Sequence, residues 1–231
     1  MNIQGLQKLT LLDYPGKVSC TIFTGGCNLR CPFCHNASLV IGEDSDNQLT
    51  KQEVLTFLKK RQGILDGVCI SGGEPLIQSD IVNVIEEIKE LGYLVKLDTN
   101  GTFPGKLKEL VQRKLVDYVA MDIKNSPAHY GKTVGIENYD TTAIEESVEF
   151  LMSGVIPYEF RTTVVRELHT REDFMNIGTW LKGAEQYFLQ GFIDSGDLIQ
   201  SNLHAYDKKI MEQIESILKP CIPHVCLRGI D

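Results

Sequence analysis

Three cysteines lie close together in residues 25–36, which read GGCNLRCPFCHN. Cys27, Cys31 and Cys34 follow a C-x3-C-x2-C spacing, with no second cysteine pair beside them in the sequence. A closed structural zinc site takes four protein ligands, and a disulfide framework is typical of secreted chains with an even number of cysteines. Three thiolates instead match three irons of a [4Fe–4S] cluster, because each iron normally takes one cysteine. The spacing predicts such a cluster, with its fourth iron open to another ligand.

Two other interpretations of these cysteines stay open. One is a zinc site completed by His35, although His35 directly follows Cys34 and is poorly placed to close a tetrahedron with it. The other is a set of buried thiols with no ligand. The same loop carries Gly25 and Gly26, which allow another group to approach its backbone closely.

The elements that must position this loop alternate between β-strand character and helical period. The predicted strands cover residues 17–23, 67–71, 93–98, 116–123, 158–165 and 186–193, with a late strand in 224–230. The predicted helices cover residues 50–62, 79–92, 105–114, 142–152, 171–181 and 206–218. Thr50, followed by Glu53, is typical of a helix N-cap, and Ser79 is predicted to cap the next helix.

Six successive β-then-α units predict an α/β fold, with a parallel sheet, right-handed crossovers and outer helices. An open doubly wound sheet and a partial barrel are both compatible with this order. We expect a single domain over residues 1–231, with a core at about 16–195 and a C-terminal helix and tail at about 204–231. Residues 125–140 form the longest predicted loop. In either architecture, ligands gather at the carboxyl ends of the strands.

Glycine-rich and polar segments fall at these strand ends in turn. Gly72-Gly73-Glu74-Pro75 follows the second predicted strand, and Asp98-Thr99-Asn100-Gly101 follows the third. Asp122-Ile123-Lys124 closes the fourth, and the fifth carries Arg161-Thr162-Thr163. This placement predicts one functional site along one rim of the sheet.

Composition narrows the class of protein and its surroundings. A net charge of -8 argues against nucleic acid as the main partner, because phosphate binding needs clustered Lys and Arg. No apolar run approaches the roughly 20 residues of a membrane span, and the N-terminus lacks the apolar core of a signal peptide. Seven cysteines, an odd number, favour a reducing compartment, so a cytoplasmic protein with no membrane partner is expected.

The cysteine spacing resembles the signature of the radical S-adenosylmethionine (SAM) superfamily. TLLDYPGK together with FTGGCNLRCPFCHN resembles the activating enzymes of glycyl radical enzymes. The segments are most similar to activators of anaerobic ribonucleoside-triphosphate reductase, and next to pyruvate formate-lyase activators. The resemblance implies a partial (β/α)6 barrel, a [4Fe–4S] cluster on Cys27, Cys31 and Cys34, and SAM on the fourth iron. GGEP, DTNG and DIK extend it to Arg161.

The resemblance also implies the residues that bind SAM: Phe33, Gly72, Gly73, Glu74, Asp98, Asn100, Lys124 and Arg161. Phe33 takes the position near the adenine, the two glycines the position beside the methionyl amine, and Lys124 the position of the lysine that pairs with the SAM carboxylate. A core aromatic, a plain tight turn and a solvated lysine are the corresponding simpler interpretations. Arg161 lies near the SAM carboxylate or the partner's loop, or forms an ordinary ion pair.

Several positions stand apart from these roles. Asp98, Thr99 and Asp122 resemble the ligands of a monovalent cation beside SAM, but the aspartates could equally cap turns.

Pyruvate formate-lyase activators have a histidine on the sixth strand, where this sequence has Gln190 nearby. Cys20 and Cys69 are expected core thiols, Cys221 and Cys226 are too few for a second cluster, and His129, His169, His204 and His224 have no ligand spacing.

The implied reaction is a reductive cleavage of SAM to a 5′-deoxyadenosyl radical, which takes hydrogen from a glycine of the partner enzyme. Flavodoxin or ferredoxin is the expected electron donor, and no general acid or base is required. Two other classes remain: a small-molecule radical SAM enzyme similar to 7-carboxy-7-deazaguanine synthase, and a binding module for iron–sulfur or zinc. CHN after the third cysteine disfavours the first, and intact GGEP and DIK segments disfavour the second.

Overall fold

A computed structural model describes residues 1–41 and 48–230 of the chain. The strands are β1 (Ile3–Thr10), β2 (Ser19–Thr24), β3 (Gly67–Gly72), β4 (Leu94–Thr99), β5 (Tyr118–Asp122), β6 (Tyr158–Val164), β7 (Tyr187–Gly191) and β8 (Val225–Arg228). The helices are α1 (Ala37–Ile41), α2 (Lys51–Arg61), α3 (Ile81–Glu90), α4 (Pro104–Gln112), α5 (Tyr130–Val134), α6 (Thr142–Met152), α7 (Arg171–Trp180) and α8 (Lys208–Leu218).

Alternating parallel strands and helices confirm the α/β class. All six predicted strands, the late strand and all six predicted helices are present, with ends within two residues of those expected. The chain divides into two compact units. The expectation of a single domain over residues 1–231 stays a proposal.

The first unit comprises Met1–Asn28, Ser38–Thr99 and Phe103–Ala120. Its strands follow chain order: β1 is antiparallel to β2, and β2, β3 and β4 are parallel. Val68 and Ile70 on β3 and Leu97 on β4 are fully buried, as near-continuous apolar runs of a sheet covered on both faces require. The parallel register places the carboxyl ends of β2 and β3 side by side, at Thr24 and Gly72.

The second unit comprises Leu29–Ala37, Asn100–Thr102 and Met121–Asp231. Here β6, β7 and β8 are parallel neighbours in chain order. Arg228 on β8 binds the buried carboxylate of Glu159 on β6 through two nitrogens, at 3.0 and 3.1 Å. The guanidinium also lies 3.3 Å from the ring centre of Phe188 on the intervening strand β7. This bidentate, stacked pair ties the last strand to the sheet.

Three elements were not predicted from the sequence, and one predicted cap is wrong. The missed elements are β1, α1 and α5; the last of these, with a 3-10 turn at Pro127–His129, occupies the predicted loop 125–140. Ser79 is not the N-cap of α3, which begins after Asp80 with no side-chain cap. In α2, by contrast, Thr50 and Glu53 form the expected capping box.

Candidate active site

The cysteine loop begins directly after β2, in the first unit. The backbone of its two glycines is anchored on both sides: Gly25 donates to the carbonyl of Asn2 at 3.0 Å, and Gly26 to that of Leu39 at 2.7 Å. Gly26 has φ of +84°, which favours glycine. Cys27, the first cysteine of the motif, follows this anchored turn and is half-buried.

The glycine pair after β3 packs directly against that turn. A Cβ on Gly73 would lie 1.8 Å from the Gly26 carbonyl oxygen, and one on Gly72 would lie 2.4 Å from the backbone of Thr24. The amide of Glu74 donates to the Gly26 carbonyl at 2.9 Å. The two loops therefore meet through bare backbone, and both glycines are needed for that contact whatever they bind.

Glu74 is fully buried at the start of a 3-10 turn, Pro75–Ile77. One carboxylate oxygen, Oε1, accepts from the Leu76 amide at 3.0 Å and from the Thr99 hydroxyl at 2.9 Å. Because a buried carboxylate needs such partners, Glu74 fixes the turn after β3 to the end of β4. The Glu74 carboxylate is therefore bonded to other groups of the protein.

Asp98, near the carboxyl end of β4, is held by two donors on the same side of the sheet. The Ser71 hydroxyl donates to Oδ2 at 3.0 Å, and the ammonium of Lys96 forms an ion pair with Oδ1. The Lys96 side chain is only 2% exposed, and its Nζ lies 3.9 Å from the Cys69 sulfur. Lys96 was not among the predicted site residues, although a lysine inside an apolar strand, two residues before an aspartate, is a signal that the sequence displays.

The second half of the cysteine loop lies in the second unit. Cys31 is buried and Cys34 half-buried, and the Cys34 amide donates to the Cys31 carbonyl at 3.0 Å in a tight turn. The loop backbone is held by bonds from Arg30 to the Val134 carbonyl and from Gln200 to the Pro32 carbonyl. Within the described residues no cysteine forms a disulfide.

His35, the residue after the third cysteine, has an unusual environment. Its ring packs 5.5 Å from Phe192, and its buried Nε2 has no hydrogen-bond partner among the described residues. Burial, and then the positive charge of Lys124, lower the pKa of His35, so the ring is neutral at pH 7. A buried, unsatisfied ring nitrogen beside the cysteine turn fits a site that a bound group completes.

Lys124 and Arg161 share the carboxylate of Asp122 at the end of β5. Lys124 Nζ lies 2.9 Å from Oδ2, and Arg161 Nε lies 3.0 Å from Oδ1. Burial alone would raise the pKa of Asp122, but the charges of Lys124 and Arg161 outweigh it and hold that pKa well below its usual range. Lys124 also lies 5.8 Å over the ring of buried Phe33. Lys124 and Arg161 therefore both form ion pairs with Asp122, and 18% and 14% of their side chains, respectively, are exposed.

His169, for which the sequence predicts no role, contacts the backbone of Lys124. It is fully buried, its Nδ1 accepts from the Val165 amide at 3.1 Å, and its Nε2 lies 2.8 Å from the Lys124 carbonyl. Nε2 therefore carries the proton and donates to that carbonyl. Burial lowers the pKa of His169, which keeps this neutral tautomer at pH 7. No spacing pattern in the sequence could have revealed this contact.

The remaining predicted residues have local structural contacts. Asn100 Oδ1 accepts from the amide and hydroxyl of Thr102 at 3.0 and 2.6 Å, which closes the turn after β4. Gln190 lies half-buried on β7, opposite Arg228 on β8. Cys20 and Cys69 are fully buried, as expected of core thiols. Cys221 is half-buried and Cys226 exposed.

The donor chemistry of the loop fits an iron–sulfur cluster with SAM. Three thiols outside any disulfide lie in a loop anchored by its backbone, the glycine turn that opens this loop packs against a second glycine turn, and an unsatisfied ring nitrogen adjoins the third thiol. Across residues 1–41 and 48–230, no three His, Cys, Asp or Glu side chains are grouped as ligands of a metal ion. No helix in those residues is both long and apolar enough to cross a membrane.

Comparison with known proteins gives one family match and two informative relatives. The profile of the Radical SAM superfamily matches residues 21–181. A Methanocaldococcus jannaschii protein, provisionally named a glycyl-radical enzyme activating enzyme, is 32% identical over 99% of this chain and 96% of its own length. The pyruvate formate-lyase-activating enzyme of Clostridium pasteurianum is 33% identical over 53% of this chain and 52% of its own.

Several solved structures share this fold. A domain of pyruvate-formate lyase-activating enzyme from Bacteroides vulgatus superposes with a TM-score of 0.57 at 15% identity. The match covers 71% of this chain and 99% of that domain. At this identity the likeness concerns the fold alone.

Proposed function

Because this chain belongs to the glycyl-radical enzyme activating enzymes of the radical SAM superfamily, we propose that its partner is anaerobic ribonucleoside-triphosphate reductase. The proposed reaction is reductive cleavage of SAM and abstraction of a hydrogen atom from one glycine of that reductase. The observation that carries the chemistry is the C-x3-C-x2-C loop, anchored by backbone bonds and flanked by the two glycine turns. The reductase as partner rests on the resemblance of TLLDYPGK and the cysteine segment.

The residues of this chain have distinct proposed tasks. Cys27, Cys31 and Cys34 hold three irons of the cluster. Phe33 and Lys124 bind SAM, with the ammonium positioned for the SAM carboxylate and the ring for the adenine. When bound, the reduced cluster would supply one electron that breaks the S–C5′ bond of SAM to give methionine and a 5′-deoxyadenosyl radical.

Further residues shape the same site. Gly72 and Gly73 present backbone groups to the methionyl amine of SAM, and Glu74 keeps their turn in place through its contacts with Leu76 and Thr99. Asp98, Asn100 and Arg161 complete the proposed SAM-binding set. Asp122 orients Lys124 and Arg161, because it accepts from both.

Flavodoxin or ferredoxin is the proposed electron donor, and the cytoplasm the proposed location. A pyruvate formate-lyase-type activase is the second candidate, favoured by the 33% identity to the Clostridium pasteurianum enzyme. The two candidates differ in the protein that carries the glycine. The monovalent cation expected at Asp98, Thr99 and Asp122 stays a prediction, and the contacts of both aspartates disfavour it.

The deciding experiment is electron paramagnetic resonance on reconstituted protein mixed anaerobically with reductant, SAM and the reductase. A glycine-centred doublet on the reductase is expected from the wild type and from Cys226→Ser, which removes an exposed thiol outside the motif. Cys31→Ala should give no doublet and no 5′-deoxyadenosine. Full 5′-deoxyadenosine formation by Cys31→Ala would overturn the cluster assignment. A doublet on pyruvate formate-lyase but not on the reductase would overturn the choice of partner.

A further inference from the structure

Lys96 is the most deeply buried lysine charge in the first unit, and the proposed reaction leaves it unused. It lies in the middle of β4, where its side chain is 2% exposed. Its ammonium forms an ion pair with Asp98 Oδ1, two residues along the same strand and therefore on the same face. A buried ammonium is tolerated only when a charge partner and hydrogen bonds compensate it. Asp98 is that charge partner.

The Asp98 carboxylate is consequently already neutralised by the protein. Oδ1 receives the Lys96 ammonium, and Oδ2 receives the Ser71 hydroxyl at 3.0 Å. A monovalent cation binds best where oxygen ligands carry uncompensated negative charge. A sodium or potassium ion at Asp98 would have to displace the ammonium, or lie beside it and be repelled by a like charge.

The other carboxylate among the predicted cation ligands, Asp122, is neutralised in the same way within the second unit. Its two oxygens receive Lys124 Nζ at 2.9 Å and Arg161 Nε at 3.0 Å. Both side chains are largely buried, so solvent screens their charges weakly. The donor set that the resemblance assigned to a cation therefore does not fit one here.

We infer that Lys96 is a built-in cation that replaces a bound monovalent metal ion as the counter-charge of Asp98. The lysine performs the electrostatic task of the ion, and it cannot dissociate. The charge beside the SAM site then stays constant whatever the sodium or potassium concentration. Lys96 is in this sense a positioning residue, which acts on SAM through Asp98.

The inference rests on the proposed SAM site but not on the choice of partner, so it is tested by binding rather than by glycyl radical formation. SAM affinity of the cluster-loaded protein is measured in potassium, sodium and choline chloride at equal ionic strength. For the wild type, the dissociation constant should agree within about twofold across the three salts. A wild-type affinity that rises tenfold or more in potassium or sodium would overturn the inference.

Variants at Lys96 should create the cation requirement that the wild type lacks. Lys96→Met removes the charge and keeps the length, and Lys96→Thr offers a hydroxyl and suits a strand. In choline, either variant should bind SAM at least tenfold more weakly than the wild type, with recovery that saturates as potassium or sodium is added. Lys51→Met, which breaks an exposed ion pair with Glu87, is the matched control and should behave like the wild type. A folded Lys96 variant that matches the wild type in all salts would contradict the role.

A second measurement needs neither the cluster nor the variants. Thallium(I), a potassium substitute with strong anomalous scattering, is soaked into crystals of the wild-type protein. No anomalous peak is expected within ligand distance of the Asp98 carboxylate. A peak there would overturn the inference even if both Lys96 variants fail to fold. Loss of the glycyl radical on the reductase, by contrast, would leave it intact and count only against the proposed function.

Discussion

Asp173 shows how this protein keeps a buried carboxylate charged. The residue lies in the first turn of α7 and is 1% exposed. Oδ1 accepts from the Ser126 hydroxyl at 2.6 Å and contacts His129 Nδ1 at 2.7 Å, while Oδ2 accepts from the amide and hydroxyl of Thr170. Burial alone would raise the pKa of Asp173, but these bonds outweigh it and lower the pKa to about 2.

A lowered pKa in the folded state means that ionised Asp173 stabilises the fold. That contribution is fully present above the unfolded pKa of about 4 and is lost as the pH falls to about 2. Asp173→Asn should therefore lower the free energy of unfolding by about 2 kcal/mol at pH 7, because an amide cannot accept all these bonds. Urea unfolding at pH 7, 4 and 2 measures the difference from wild type.

The control for this prediction is Glu172→Gln, which neutralises the exposed neighbour on the same helix. It should unfold like the wild type at each pH. The gap between Asp173→Asn and the wild type should narrow between pH 4 and pH 2. A gap that is the same at pH 2 as at pH 7 would show that the loss comes from packing and not from the charge.

At the scale of elements, the turn between β3 and the 3-10 helix depends on a glycine. A Cβ on Gly73 would lie 1.8 Å from the Gly26 carbonyl oxygen, which is backbone and cannot rotate away. Gly73→Ala should therefore separate the two loops and break the bond from the Glu74 amide to Gly26. We expect a loss of about 3 kcal/mol or more in the free energy of unfolding.

Gly105→Ala is the matched substitution for Gly73→Ala. Gly105 lies in the first turn of α4, and an added Cβ there would meet nothing within 4 Å. Alanine should raise the free energy of unfolding by roughly 0.5–1 kcal/mol, since it restricts the unfolded chain. Thermal unfolding of both variants checks the pair. Equal melting temperatures for the two would refute the close contact at Gly73.

Elements with strong periodicity could be predicted from the sequence, and short or contact-dependent ones could not. The buried face of α3 follows directly from a 3.6-residue period, because its buried residues recur every three or four positions: Ile81, Val84, Ile85 and Ile88. β1 has polar residues on an antiparallel edge, and α5 is five residues long, so neither leaves a clear pattern. Ser79 failed as a cap because sequence order alone does not fix where the first helical turn begins.

The same distinction between local and contact-dependent features applies to the candidate site. The cysteine spacing and the glycine turns are local, and the sequence displays both. Lys96 pairs with Asp98 on its own strand, but Asp98 is also held by Ser71 on the neighbouring strand, and His169 binds the distant Lys124 carbonyl. Such contacts depend on strand register and burial, which a single sequence does not reveal. The partners of these two side chains are therefore visible only in the structure.

At the scale of the whole molecule, the fold is expected to persist without iron. The apolar cores lie among strands and helices, whereas the three motif cysteines lie in residues 25–36, between β2 and α1. Backbone bonds that need no metal hold this loop, including those of Gly25, Gly26 and Arg30. This arrangement differs from small zinc domains, in which the metal supplies the folding free energy.

The iron-free protein should therefore keep the far-ultraviolet circular dichroism of the loaded protein and melt cooperatively. The same is expected of a triple variant that carries Cys27→Ser, Cys31→Ser and Cys34→Ser. Cluster loading should raise the melting temperature of the wild type, since a group that binds only the folded state stabilises it. It should leave the triple variant unchanged. Random-coil dichroism of the iron-free wild type at 25 °C would show instead that the cluster organises the fold. The comparison of the two iron-free samples then separates the loss of thiols from the loss of metal.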